Sequence, residues 1–137
     1  MRRAALAYVA AAATVLALDA VWLTLTGPMY RSALGDLLTA GFRPAPAAVF
    51  YALYIAGLCR LAVWPALASG GLGRAALDGA VFGLIAYATY DLTNAATLSR
   101  WPAWLAAMDM GWGAILSAAG AAAGYLAASR LSRRTRS

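Results

Sequence analysis

Three aspartates interrupt stretches of sequence that are otherwise apolar: Asp19, Asp91 and Asp109. Asp19 and Asp109 each precede a tryptophan by three residues, and Asp91 precedes Asn94 by the same interval. Side chains three residues apart lie on one face of a helix, so each acid has an aromatic or amide neighbour. A charge inside a membrane span costs roughly 2.5–3.5 kcal/mol on insertion scales, so each acid needs a partner, a water-filled cavity or a function. The spacing therefore predicts a shared polar pocket.

The predicted pocket is a binding site walled by aromatic rings. Its members are Asp19, Trp22, Tyr87, Tyr90, Asp91, Asn94, Asp109 and Trp112. Carboxylates beside aromatic faces suit a proton, a metal cation or an organic cation. Like charges this close cannot all ionise in a medium of low dielectric constant, so at least one proton is expected to be shared or retained. These residues favour binding or transport of a small molecule, a cation or a proton.

Two other functions fit the same residues. Paired carboxylates can act as acid and base, which is compatible with a membrane-embedded enzyme, or its accessory subunit, acting on a lipid or isoprenoid. The acids could instead form a hydrogen-bond network that only holds a scaffold subunit together. No nucleophile, phosphate-binding loop or metal cluster of recognised spacing is evident, which argues against an enzyme. We therefore expect no cofactor and no bound metal.

The composition narrows the chemistry further. All five acids are Asp and all eleven bases are Arg, and Asn94 is the only side-chain amide. Without histidine, the chain has no Ser–His triad, imidazole zinc site or His-ligated haem. The single cysteine, Cys59, excludes an intrachain disulfide and any C-x-x-C motif.

The elements that position these residues are expected to be membrane-spanning helices. The chain is 64% hydrophobic and 12% charged, whereas soluble domains are roughly 45–50% apolar and about 25% charged. Four stretches reach the length of about 20 residues that a spanning helix needs: residues 4–26, 46–68, 75–98 and 101–129. The 137 residues are thus expected to form one integral membrane domain, an all-α membrane protein whose four helices pack as an antiparallel bundle.

This arrangement places the three aspartates at one depth. Each lies about seven or eight residues from the outer end of its span, roughly 11–12 Å below the outer surface at the usual helical rise. Residues 30–39, between the first two spans, could form a short surface helix or a loop. The apolar run of the first span continues past any plausible cleavage point, which favours a retained helix over a signal peptide.

Arginine placement predicts the orientation. An even number of spans puts both termini and the second loop on one side, with Arg2, Arg3, Arg74, Arg130, Arg133, Arg134 and Arg136. The other side carries Arg31, Arg43 and Arg100, so the positive-inside rule places both termini in the cytoplasm. The basic tail at residues 130–137 and the basic N-terminus account for the net charge of +6. They are expected to contact anionic lipid rather than nucleic acid.

Two further features have structural interpretations. Arg60 is the lone base within a span, and Asp78 is the acid nearest its level, so an inner-side ion pair between them is one expectation and snorkelling of Arg60 the other.

Two small-xxx-small pairs, Gly79 with Gly83 and Gly120 with Gly124, allow close helix approach. They favour simple packing and could also join two copies into a homo-oligomer.

Four groups of residues form motifs along the chain: Asp19, Trp22, Leu23, Gly27 and Tyr30; Phe50, Tyr51 and Tyr54; the run YATYDLTN at residues 87–94; and Trp101, Pro102, Asp109, Trp112 and Gly113. Together they resemble an uncharacterised bacterial membrane family, domain of unknown function 2177. The resemblance implies a small four-span protein of the bacterial inner membrane and supplies no established reaction.

Overall fold

Four long helices make up most of the molecule. The computed structural model describes residues 1–38 and 40–134, the last four by their backbone alone. The helices are α1 (Arg2–Leu34), α2 (Pro44–Ser69), α3 (Leu72–Thr97) and α4 (Ala103–Arg134), with no strand in the described residues. The predicted all-α membrane class is confirmed.

Three helical segments are long and apolar enough to cross a membrane: Arg2–Leu37, Pro44–Ser69 and Ala103–Arg130. Helix α3 has 26 residues but is not among them, because Arg74, Asp78 and Asp91 lower its mean hydropathy. The fourth crossing therefore stays a prediction.

Helix α1 continues past the point where its sequence predicts an end. It passes through Gly27 and Pro28 and ends at Gly35, whose φ of 52° suits glycine and whose N–H bonds to the Arg31 carbonyl. Pro28 has no N–H to donate to the carbonyl of Thr24, four residues earlier, so the helix lacks one backbone hydrogen bond there. In the turns before Pro28, the hydroxyls of Thr24 and Thr26 donate to the carbonyls of Ala20 and Trp22. Of residues 30–39, the first five are therefore a continuation of α1, and Gly35–Leu37 form a 3₁₀ turn.

Helix α2 widens in its middle. It consists of an α-helix over Pro44–Leu58, a π-helical turn over Cys59–Val63 and a second α-helix over Trp64–Ser69. The N–H of Trp64 bonds to the carbonyl of Cys59, five residues back. Pro65 follows and has no N–H to offer Leu61, so a wider turn before it avoids the clash that a regular helix would create. The turn directs Cys59, Ala62 and Val63 into the core.

Helix α4 lies at the centre of the bundle and packs against the three others. On its α1 side, Gly120 faces Val15 and Gly124 faces Ala7 and Val63. These contacts place the first turns of α1 beside the last described turns of α4, at the same end of the bundle. The helix extends to Arg134, past the predicted span end at residue 129, and the rest of the predicted basic tail lies outside the described residues.

Helices α3 and α4 approach each other through glycine. A Cβ added at Gly83 would lie 2.0 Å from the carbonyl oxygen of Gly113, and one at Gly79 would lie 2.7 Å from that of Ser117. All four predicted interface glycines thus pack within one chain, as simple packing predicts. Contact with a second copy through them would require these helices to separate, and association of copies stays a prediction.

At the opposite end of the bundle, outside the predicted spans, an ion pair joins the 3₁₀ turn after α1 to the link between α3 and α4. Arg100, between α3 and α4, donates to Asp36 at 2.6 Å and to the carbonyl oxygen of Leu34 at 3.2 Å. The hydrogen bond from Arg100 lowers the pKa of the Asp36 carboxyl. Both side chains are exposed, so solvent screening leaves this pair a minor contributor to stability.

Candidate functional site

The carboxyl group of Asp19 lies inside the bundle because it continues the buried stripe of α1. Ala7, Ala11, Val15 and Asp19 recur every four residues and are all buried. The acid receives two hydrogen bonds from other helices. The indole N–H of Trp112 donates to Oδ1 at 3.1 Å, and the hydroxyl of Tyr51 donates to Oδ2. Asp19 therefore joins α1, α2 and α4.

Asp109 is held by the end of α1. The hydroxyl of Tyr30 donates to its Oδ1, and the indole N–H of Trp22 donates to the same hydroxyl oxygen at 3.3 Å. Like Asp19, Asp109 is only 6% exposed. The continuation of α1 beyond Pro28 is what places Tyr30 here, so the helical backbone at residues 27–34 is part of the site.

The two carboxyl groups belong to one network because their tryptophans stack. The rings of Trp22 and Trp112 are 4.4 Å apart between centroids and within 4° of parallel. The stack therefore connects Asp19, which accepts from Trp112, with Asp109, which Trp22 reaches through Tyr30. We call these six side chains the paired-acid network: Asp19, Trp22, Tyr30, Tyr51, Asp109 and Trp112.

Asp91 lies apart from this network. It is fully buried, and the indole N–H of Trp101 donates to its Oδ1 at 3.3 Å. Its Oδ2 is buried and has no hydrogen-bond partner among the residues that the structure describes. The three aspartates predicted to share one pocket are thus divided into a pair and a separate acid.

The other predicted pocket residues are distributed between these two places. Trp22 and Trp112 belong to the paired-acid network, whereas Tyr90 packs edge-on against Trp101 beside Asp91, with centroids 5.5 Å apart. Tyr87 packs its ring edge-on against Tyr54, and Asn94 lies one turn beyond Tyr90 on a half-buried position of α3.

Three donors to the acids, Tyr30, Tyr51 and Trp101, are not among the predicted pocket residues. In the sequence they stand out only as members of the motifs that carry the family resemblance. One feature of the sequence indicated that such donors were needed. A buried carboxyl without a basic partner requires hydroxyl or indole donors, and span two supplies phenols at Tyr51 and Tyr54. Tyr54 is bonded to Ser117 in the core instead.

Arg60 and Asp78 do not form the predicted ion pair. Asp78 pairs with Arg74, one turn earlier on the same helix, at 3.1 Å. Arg60 lies in the π-helical turn with its side chain exposed, and it forms no ion pair within the described residues. Because Cys59, Ala62 and Val63 take the core-facing positions of that turn, Arg60 is directed outward.

The chemistry available here is that of carboxyl, phenol and indole groups. No arginine pairs with Asp19, Asp91 or Asp109 among the described residues, and those residues contain no cluster of three or more His, Cys, Asp or Glu side chains that could hold a metal ion. The site can therefore bind protons and hydrogen-bond donors.

Comparison with known proteins gives one match. No curated protein matches the chain, and no solved structure does. The sequence model of a family described as "Predicted membrane protein (DUF2177)" matches residues 4–126, a stretch that includes every residue of the paired-acid network as well as Asp91. This match covers most of the chain, and the chain therefore belongs to the DUF2177 family of membrane proteins.

Proposed function

We propose that the protein binds and exchanges protons at Asp19 and Asp109, as a binding or transport protein. The observation that carries the proposal is the pairing itself. Two acids from α1 and α4 are both buried and joined through one stack of tryptophans, and no basic side chain in the described part of the chain neutralises them.

The physical reason is the cost of burying two negative charges together. An unpaired carboxylate in a medium of low dielectric constant is strongly disfavoured, and two close carboxylates disfavour each other's ionisation. Such a pair holds at least one proton and titrates as a unit. Tyr51 and Trp112 face Asp19, and Tyr30 faces Asp109. The two phenols are groups through which a proton can pass.

We also propose the membrane setting. Four crossings with both termini in the cytoplasm of a bacterial inner membrane fit the arginine distribution and the contact of the first turns of α1 with the last described turns of α4. Under this orientation the basic ends contact the anionic leaflet.

Infrared difference spectroscopy across a pH titration tests the proton site, because it resolves protonated from ionised carboxyl groups. The purified full chain in lipid nanodiscs is compared with Asp19→Asn and Asp109→Asn. Asp36→Asn serves as the matched control because Asp36 is exposed. We expect each buried variant to remove one carboxyl signal and to shift the other, since the pair is coupled, while Asp36→Asn leaves both signals in place.

A pure scaffold gives a different result. If Asp19→Asn and Asp109→Asn lower only the free energy of unfolding, and neither alters a titrating carboxyl signal, the proton-binding proposal is rejected. Proteoliposomes with an entrapped pH-sensitive dye then separate transport from binding, since only transport gives a proton flux that both variants abolish.

A further inference from the structure

The paired-acid network comes closest to water at the end of the bundle that carries Arg100. Tyr30, which donates to Asp109, lies four residues before α1 ends at Leu34, and its side chain is half-buried. The exposed Arg100 bonds to the carbonyl oxygen of Leu34, so water reaches the next turn of α1. Tyr30 therefore joins the buried Asp109 to the surface at this end.

Toward the opposite end, the buried core stops being polar. The buried polar residues of the described chain are Asp19, Asp91, Asp109 and Ser117. Asp91 accepts from Trp101 at the Arg100 end, and Ser117 bonds to Tyr54 two turns beyond Asp109 on α4. Past Ser117, the described core consists of apolar side chains that we call the apolar seal: Ala7, Ala11, Val15, Leu58, Cys59, Ala62, Val63 and Ala121.

The apolar seal is thick and closely packed. Val15 and Ala7 are eight residues apart on α1, which corresponds to about 12 Å at the usual helical rise. A Cβ added at Gly120 would lie 2.7 Å from Val15 Cγ2, and one at Gly124 would lie 3.0 Å from the carbonyl oxygen of Ala7. Buried water needs free volume and two to four polar partners. The contact between α1 and α4 offers neither, so the seal separates the network from this end.

We propose that Asp19 and Asp109 exchange protons with one side of the membrane only, through Tyr30. Water at the Arg100 end gives a proton to the phenolic oxygen of Tyr30 while the phenolic O–H bond breaks and a new O–H bond forms on ionised Asp109. The phenol is regenerated, and the net change is one proton moved from water to the carboxylate. The inference deepens the proposed function by naming its side and its route, and it rests on that function for the proton site itself.

The apolar seal also limits what the protein can do in this conformation. A proton channel needs a path on both sides of its binding site, and the seal closes one of them. The protein therefore binds protons from the Arg100 side, which is the outer side in the proposed orientation. Net transport requires the helices of the seal to separate, so that the site opens to each side in turn.

Infrared spectroscopy of proteoliposomes under a pH step tests which side the acids face. The full chain carries Cys59→Ala and Ser99→Cys, so an impermeant maleimide counts the molecules whose Arg100 end faces outward, in a preparation where the two orientations are unequal. The external pH is lowered first, while an entrapped dye reports the pH of the lumen, and a protonophore then equalises the two sides. We expect the carboxyl signal that responds before the protonophore to match the labelled fraction.

Two tyrosine variants test the route. Tyr30→Phe keeps the ring but removes the hydroxyl that passes the proton, and it should slow the exchange about tenfold or more. Tyr125→Phe is the matched control, because Tyr125 is also half-buried and follows Gly124 at the opposite end of the bundle. It should exchange protons at the rate of the unaltered chain.

The proposal is overturned if the whole signal responds before the protonophore, if the responding fraction matches the unlabelled molecules, or if Tyr30→Phe exchanges as fast as Tyr125→Phe. The sidedness measurement keeps the test valid if Tyr30→Phe does not fold. A carboxyl signal that is absent even after the protonophore rejects the proton site itself, whereas a signal that responds from both sides rejects this inference alone.

Discussion

At the scale of single residues, Trp22 and Trp112 each have two roles. Their rings stack, and their indole N–H groups donate to Tyr30 and Asp19 respectively. An indole combines a large apolar surface with one donor, which suits a position that faces both a helix core and a carboxyl group. The repeated D-x-x-W spacing thus brings the two tryptophans together where α1 meets α4, and there Trp112 bonds to the acid of the other helix.

Replacement of Trp112 by Phe should expose this division of roles. Phe preserves much of the aromatic packing but removes the donor to Asp19 Oδ1, which lies in the core. We expect the free energy of unfolding to fall by about 1–3 kcal/mol, because a buried acceptor loses its partner. Denaturant titration in mixed micelles measures it.

Trp104→Phe is the control on the same helix, since Trp104 is 52% exposed and its indole forms no hydrogen bond with the described part of the chain. It should change stability by less than about 0.5 kcal/mol. Equal losses for the two variants would show that the indole N–H of Trp112 contributes nothing specific.

At the scale of helices, close approach of backbones positions the acids. Gly83 of α3 lies against Gly113 and Ser117 of α4, and Tyr87 covers Gly113. This contact places Tyr87 against the backbone of α4 and beside Tyr54 of α2. The small-residue spacing in the sequence predicted close packing of these helices but did not name the partner, because several faces of the bundle carry small residues.

Replacement of Gly83 by Ala should push α3 away from α4. The added Cβ would lie 2.0 Å from a backbone oxygen and 2.1 Å from Ser117 Oγ, and backbone cannot give way as a flexible side chain does. We expect a loss of about 1–3 kcal/mol in the free energy of unfolding, typical of overpacking. The same titration in mixed micelles detects it.

Gly111→Ala tests the same chemical change where there is room, since nothing lies within 4 Å of its added Cβ. Alanine is favoured over glycine in helices, so this variant should be neutral or more stable. A stable Gly83→Ala protein with an unchanged paired-acid network would contradict the packing described here.

At the scale of the whole molecule, the central question is whether α3 crosses the membrane. Its 26 residues span about 39 Å at the usual helical rise, more than the hydrocarbon core of about 30 Å. It packs against α4. Of its three charged residues, Asp91 is buried, and Arg74 and Asp78 pair with each other. The length of α3 and its packing against α4 favour a crossing, whereas its mean hydropathy alone does not identify it as a span.

Cysteine labelling tests both whether α3 crosses the membrane and on which side each of its ends lies. In a Cys59→Ala background, Ser69→Cys reports the link before α3, and Ser99→Cys reports the link after it. Both serines are exposed. We expect a membrane-impermeant maleimide added outside intact cells to label position 99 and not position 69. Labelling of both positions from one side would exclude a crossing by α3.

Much of this molecule follows from its sequence. Composition and apolar run length determine a helical membrane protein, because a continuous apolar run of about 20 residues satisfies its own backbone within lipid as a helix. Helix-face spacing identifies Asp19, Asp91 and Asp109 as the costly residues. Which groups partner them depends on how the helices are rotated and aligned, which distant packing contacts decide. Only the tertiary structure therefore brings Tyr30 to Asp109 through a helix that continues past Pro28, separates Asp91 from the other two acids, and turns Arg60 away from Asp78.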